Sequence, residues 1–172
     1  MSAVTTVLTA VQVAGLEQKI RDIPDPEIPV ISIDDLGIVR EISVDADSGL
    51  VRVTITPTYS GCPAVQAITD HISWTVRQEG LEAQVDTTLS PAWTTDWMSE
   101  KGRESLRRFG IAPPSGTRPA GPVPVGLSVR QVACPTCGSL ETEELSRFGG
   151  TACKALRRCL TCREPFEEFK AI

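Results

Sequence analysis

The chain has 172 residues, 41% of them hydrophobic and 23% charged, with a formal net charge of −5. That composition excludes a disordered or collagen-like chain, and no run approaches the ~18 apolar residues of a membrane span. Charge is uneven: residues 1–110 hold 9 Lys/Arg against 16 Asp/Glu, a net of −7, and residues 111–172 hold 8 against 6, a net of +2; the larger part should repel nucleic acid.

The chain order of elements reads as follows. Residues 7–21, VLTAVQVAGLEQKIR, set Val7, Val11, Ala14, Leu16 and Ile20 near helical spacing and predict a helix of about four turns. No Lys or Arg precedes Lys19, and no cleavage site follows an apolar core, so no secretory signal is expected. DIPDPEIPV then places three prolines in six residues, which favours extended or turn backbone. GIVREISV and LVRVTITP alternate like strands and are joined by a hairpin signal, Asp-Ala-Asp-Ser-Gly. GCPAVQAITDHISWTVRQEG is a second helix, with Pro63 in its first turn and Ala64, Ala67, Ile68, Ile72 and Val76 as its apolar stripe. LEAQVDTTL is a third strand, SPAWTTDWMS is irregular, and SEKGRESLRRFG is a short helix closing at Gly110.

The expected fold class is α+β: a small sheet with helices packed on one face, followed by a small four-cysteine module. The expected divisions are a domain over 1–110, a linker over 111–126 with five prolines and three glycines, and a metal-binding module over 127–172.

The strongest motif pairs CPTCG at 134–138 with CLTC at 159–162, two CxxC knuckles separated by 21 residues. Such knuckles aim four thiolates at one centre, and tetrahedral coordination by four sulfurs suits zinc, with a rubredoxin-like iron site as the rival. With Cys134, Cys137, Cys159 and Cys162 all committed, no coordination position stays open, so the site is expected to be structural. Without a secretory signal, six cysteines point to a reducing, cytoplasmic compartment. Cys153, between the knuckles, reads either as a small buried residue or as a fifth thiol near the metal, activated by Lys154, Arg157 and Arg158.

Cys62 stands alone. A cysteine that opens a helix meets the positive end of the macrodipole, which favours the thiolate, the soft ligand for iron. The competing reading is a cysteine buried at a helix start. Asp25, Glu27, Asp34 and Asp35 place four carboxylates within eleven residues; they are candidate metal or partner contacts, or ordinary turn residues. His71, nine residues along the same helix, lies about 13 Å from Cys62 by helical rise, too far for an acid–base pair. Trp93 and Trp97 are core anchors or an exposed contact patch. GxGxxG and GxxxxGK are both absent.

Two stretches carry a family resemblance. DPEIPVISIDDLGIV with SGCPA resembles the α+β domain of SufT-like and MIP18-type iron–sulfur assembly proteins. CPTCGS, FGGTACKALRRCLTCREPFEEFK, PAWTTDWMS and FGIAPP resemble the PaaD (PaaJ) family of the phenylacetyl-CoA epoxidase system, over nearly all of residues 15–172. The resemblance implies an accessory protein with no catalytic activity alone. It would assist maturation or insertion of the iron–sulfur cluster of the epoxidase reductase, in aerobic phenylacetate degradation. It implies Asp25, Glu27 and Asp35 as the acidic motif and Cys62 as the matching cysteine of the domain, the candidate thiol for transient contact with iron or a cluster. It implies Cys134, Cys137, Cys159 and Cys162 as the structural zinc ligands of a zinc-ribbon-like tail, with Cys153 a further candidate. The alternative is a non-catalytic docking subunit, in which the basic tail and the Trp93/Trp97 loop meet the oxygenase subunits. Neither reading calls for nucleic acid or a membrane.

Overall fold

Thr9 starts the first helix by a reciprocal cap: its hydroxyl accepts from the Gln12 N–H, and the Gln12 side chain accepts from the Thr9 N–H. The computed structural model describes residues 9–45, 47–114 and 131–171. The chain divides into two units, Met1–Trp93 and Thr94–Ile172.

In the first unit, α1 (Ala10–Arg21) buries Leu16 and Ile20, one turn apart. Val11 and Ala14, expected on the same stripe, face solvent; Val13 takes part instead, half-buried. Val7 lies outside the described residues. After Asp22 the chain has almost no regular structure until β1, yet it buries Ile23, Ile28, Ile31, Ile33, Leu36 and Ile38. Local bonds satisfy this buried loop. The Asp25 carboxylate accepts from the N–H groups of Glu27 and Ile28, the Asp25 N–H reaches the Ile31 carbonyl, and the Ile33 N–H reaches that of Ile23.

β1 (Val39–Asp45) and β2 (Leu50–Ile55) form the antiparallel hairpin. Gly49, at φ +71°, makes the turn. β3 (Glu82–Thr87) runs parallel to β2, so the sheet order is β1-β2-β3 and α2 (Ala64–Gln78) is the crossover. Along β2, Val51, Val53 and Ile55 are fully buried and Arg52 is exposed, giving the sheet one covered face. α2 buries Ala64, Ile68, Ile72, Thr75 and Val76; Ala67, expected with them, is exposed.

The second unit opens with a 3-10 turn, Thr95–Trp97, then α3 (Glu100–Arg108), capped by Ser99 on the Gly102 N–H. Gly110, at φ +87°, ends the helix. β4 (Ile111–Ala112) pairs in parallel with β7 (Pro165–Phe169). β6 (Lys154–Cys159) lies antiparallel between β7 and β5 (Thr142–Ser146), giving the order β4-β7-β6-β5.

The third helix and residues 111–114 therefore group with the cysteine module, where the sequence had suggested the first domain and a linker. Ile111 and Ala112 are buried and hydrogen-bonded into the sheet. Arg103 ties the segment down by donating to the carbonyls of Thr95 and Pro114. The prolines that follow masked this short strand. Residues 115–126 of the expected linker lie outside the described residues.

Candidate functional site

The first knuckle turns at Cys134–Gly138. The Gly138 N–H donates to the Cys134 carbonyl, the Cys134 N–H donates to the Ser139 carbonyl, and Gly138 takes φ +76°. The second knuckle, after β6, turns in the same hand at Arg163, φ 68°, a conformation that costs a non-glycine residue energy. Ser139 Oγ and Thr161 Oγ1, 2.8 Å apart, join the two turns.

The turns converge four sulfurs. Cys134 Sγ lies 3.8 Å from Cys162 Sγ and Cys137 Sγ 3.6 Å from Cys159 Sγ, with all four within 4.8 Å of one another. A tetrahedral zinc with bonds of about 2.3 Å requires sulfurs about 3.8 Å apart. The four thiols fit zinc. Cys134 and Cys159 pack in a small core with Ala112, Val132 and Phe166, so β4 helps cover the inner side. Cys137 is exposed.

The thiols alone cannot all ionise together. The Cys162 N–H, donating to Cys159 Sγ at 3.4 Å, outweighs burial; with the Thr161 N–H and the thiols of Cys162 and Cys137 it lowers the Cys159 thiol to about 6. For Cys162 the Glu164 N–H favours the thiolate, but burial and the thiols of Cys159, Cys137 and Cys134 push it up to about 12. One negative charge is welcome and a second is refused, as close like charges require. A divalent cation reverses that balance.

Cys153 is buried and stands outside the group of four. Its Sγ lies 3.0 Å from Thr151 Oγ1. The cations expected to activate it are committed to carboxylates: Lys154 to Glu167, Arg157 to Glu168 and Arg158 to Glu143. Structurally it is the small buried residue rather than a thiol beside the metal.

Cys62 sits immediately ahead of Pro63, the N-cap of α2, and is half-buried. Its N–H donates to the Tyr59 carbonyl at 3.2 Å and its carbonyl accepts from Val65 at 3.3 Å, so a local turn holds it. No side chain caps the helix. Asp25, Glu27 and Asp35 do not gather with it or with one another into a metal-binding group among the described residues. Asp25 is buried as a turn acceptor, Asp35 exchanges hydrogen bonds with Ser32, and Asp34 pairs with Arg21.

Trp93 is 4% exposed, and its indole N–H donates to the Leu36 carbonyl at 3.1 Å. It is a core anchor, and Trp97 is half-buried; the pair is not an exposed patch. Trp74, unremarked by periodicity, is the exposed one, 57% accessible and edge-on to His71.

Fold and site define a two-module protein: a small α+β domain and a four-cysteine ribbon fit for zinc. Two family descriptions match in just that order, an iron–sulfur cluster assembly protein over residues 14–88 and a PaaD zinc beta ribbon domain over residues 119–170. A protein of Escherichia coli (strain K12), named as a subunit of 1,2-phenylacetyl-CoA epoxidase, is 45% identical over 162 residues, 94% of each chain. The chain belongs to this epoxidase-subunit family, PaaD. Two further relatives match about half of this chain. A Fe-S protein maturation auxiliary factor of Porphyromonas gingivalis is 39% identical over 51% of this chain and 83% of its own. The Fe-S protein maturation auxiliary factor SufT of Staphylococcus aureus is 36% identical over 48% of this chain and 93% of its own. Among the described residues no helix is long and apolar enough to cross a membrane.

Proposed function

We propose that this protein assists cluster maturation in, or insertion into, the reductase of the phenylacetyl-CoA epoxidase system, in the cytoplasm. Cys62 is the thiol that meets iron or the cluster, and the zinc ribbon is structural. The observation that carries this reading is the division of labour between the modules. The half resembling maturation factors holds a half-buried cysteine at an uncapped helix start, whereas the ribbon commits all four of its clustered thiols to one another. Cys62 stands at the start of α2, and Gly61, exposed beside it, leaves a way in. The cluster is cargo: the Cys62 proton is released as sulfur bonds iron, and ligand exchange passes the iron onward. Asp25 and Asp35 shape the buried loop through the hydrogen bonds their carboxylates accept.

Co-expression of the reductase with the Cys62→Ser variant tests this. The expected result is reductase short of [2Fe–2S] cluster beside a variant with unchanged zinc and fold. Full cluster content in that reductase would overturn the thiol-centred reading. The second reading, a docking subunit of the oxygenase, rests on the exposed Trp74–His71 pair of α2. It predicts stoichiometric co-purification with oxygenase, lost in Trp74→Ala and retained in Cys62→Ser.

A further inference from the structure

The second unit contains a groove of about 600 Å³ whose lining includes Glu144, Arg147, Arg157, Glu168 and Lys170. Its floor is a buried ion pair. The Arg157 side chain is 8% exposed and that of Glu168 3%, with Nη1 3.0 Å from Glu168 Oε2 and a looser 3.9 Å from Glu144 Oε2. Nη2 donates to Thr142 Oγ1 at 3.3 Å, but the buried Nε–H has no partner. The guanidinium thus keeps one buried donor without an acceptor, while Glu168 balances its charge.

The positive charge of the groove sits on its rim. Among the described residues neither Arg147 nor Lys170 has a carboxylate within ion-pair reach. Lys170 Nζ instead donates to the Arg147 carbonyl at 3.2 Å and lies 4.7 Å from the centre of the Phe148 ring. Glu143, also on the rim, is neutralised by Arg158. Apolar surface adjoins these cations: Phe148 is 68% exposed and Leu145 49%. Among the described residues β5, which carries Leu145, is the outer strand of the sheet, so its edge offers backbone partners as well.

We propose that this groove docks an extended segment of a protein partner that presents an acidic side chain beside an apolar one. The carboxylate meets Arg147 and Lys170 above Arg157, and the apolar side chain covers Phe148 and Leu145. Polyphosphate chains such as nucleic acids fit poorly, because Glu144, exposed in the same groove, repels a continuous run of negative charge. The proposal is independent of any role for Cys62.

The test uses the zinc-loaded full chain and two fluorescein-labelled eight-residue peptides, one alternating Glu with Phe, the other Gln with Phe. Fluorescence anisotropy should show the Glu peptide binding about tenfold tighter, a preference of roughly 1.4 kcal/mol. Arg147→Glu combined with Lys170→Glu should erase that preference. Arg108→Glu, at an exposed cation on α3, should keep it. Phe148→Ser should weaken both peptides and serves as the second probe if the double variant loses zinc. Equal binding of the two peptides overturns the proposal. So does a preference that survives the double variant, or an oligothymidylate that binds as tightly as the Glu peptide.

Discussion

The two units hold themselves together by different means. The first buries a run of isoleucines and valines from α1, the 23–38 loop, β2 and α2. Among its described residues the one buried ionisable side chain, Asp25, is satisfied by backbone N–H groups. The second buries cations, carboxylates and thiols: Lys154, Arg157, Glu168, Cys134, Cys153 and Cys159. Aliphatic burial stabilises without help, at about 25 cal/mol per Å² of apolar surface. Buried charge and clustered thiols stabilise only when every partner is in place. The first unit should therefore fold without metal and the second should not.

The contrast is broken most forcefully at the metal. Chelation, or Cys159→Ser, should remove a binding energy on the order of 10 kcal/mol and unfold the second unit. Calorimetry should then show one transition surviving, and loss of both would mean that the first unit also depends on zinc. Next comes the buried ion pair. Arg157→Leu should destabilise the second unit by about 3–5 kcal/mol by stranding Glu168, while the double change with Glu168→Leu should recover most of that loss. Ile72→Ala should cost the first unit a comparable ~2–5 kcal/mol, through an unfilled cavity rather than a stranded charge. Urea titrations of each variant separate the two causes.

A smaller effect depends on pH. Burial alone would raise the Glu167 carboxyl, but the Lys154 ammonium and the Gly150 N–H outweigh it and hold it below the ordinary 4.5. A depressed carboxyl stabilises at pH above its unfolded value and loses that contribution as pH falls through its folded one. The advantage of the wild type over Glu167→Gln, about 1 kcal/mol near neutrality, should therefore shrink as pH drops below 4.5. An advantage that grows in acid would contradict the pairing. Smallest is Arg163→Gly, which relieves the left-handed strain at φ 68° against the larger unfolded freedom of glycine. The zinc-loaded second unit should gain less than about 1 kcal/mol, read from its melting transition.

Sequence patterning made α2, the β1–β2 hairpin and the zinc knuckles legible, because each has a period or spacing that a single physical requirement imposes. The 23–38 core was hidden, since a buried irregular loop has no period; only its density of isoleucine hinted at it. β4 was hidden by two residues' length and the prolines after it. The Arg157–Glu168 pair was invisible for another reason: charge in a sequence signals surface, and only cross-strand register brings the two into one buried place. In the candidate site, spacing found the four ligands, but the left-handed turn at Arg163 carries no glycine to announce it. The acidic cluster left two readings open because turn acceptors and metal ligands draw on the same residue types.

The central claim is that iron contact belongs to Cys62 and zinc to the ribbon. Metal analysis of the protein purified without oxygen, with Cys62→Ser beside it, tests this most directly. The account predicts about one zinc per chain in both proteins, and iron that binds the wild type and is absent from the variant. Iron bound equally by both, or zinc lost with Cys62, would contradict it.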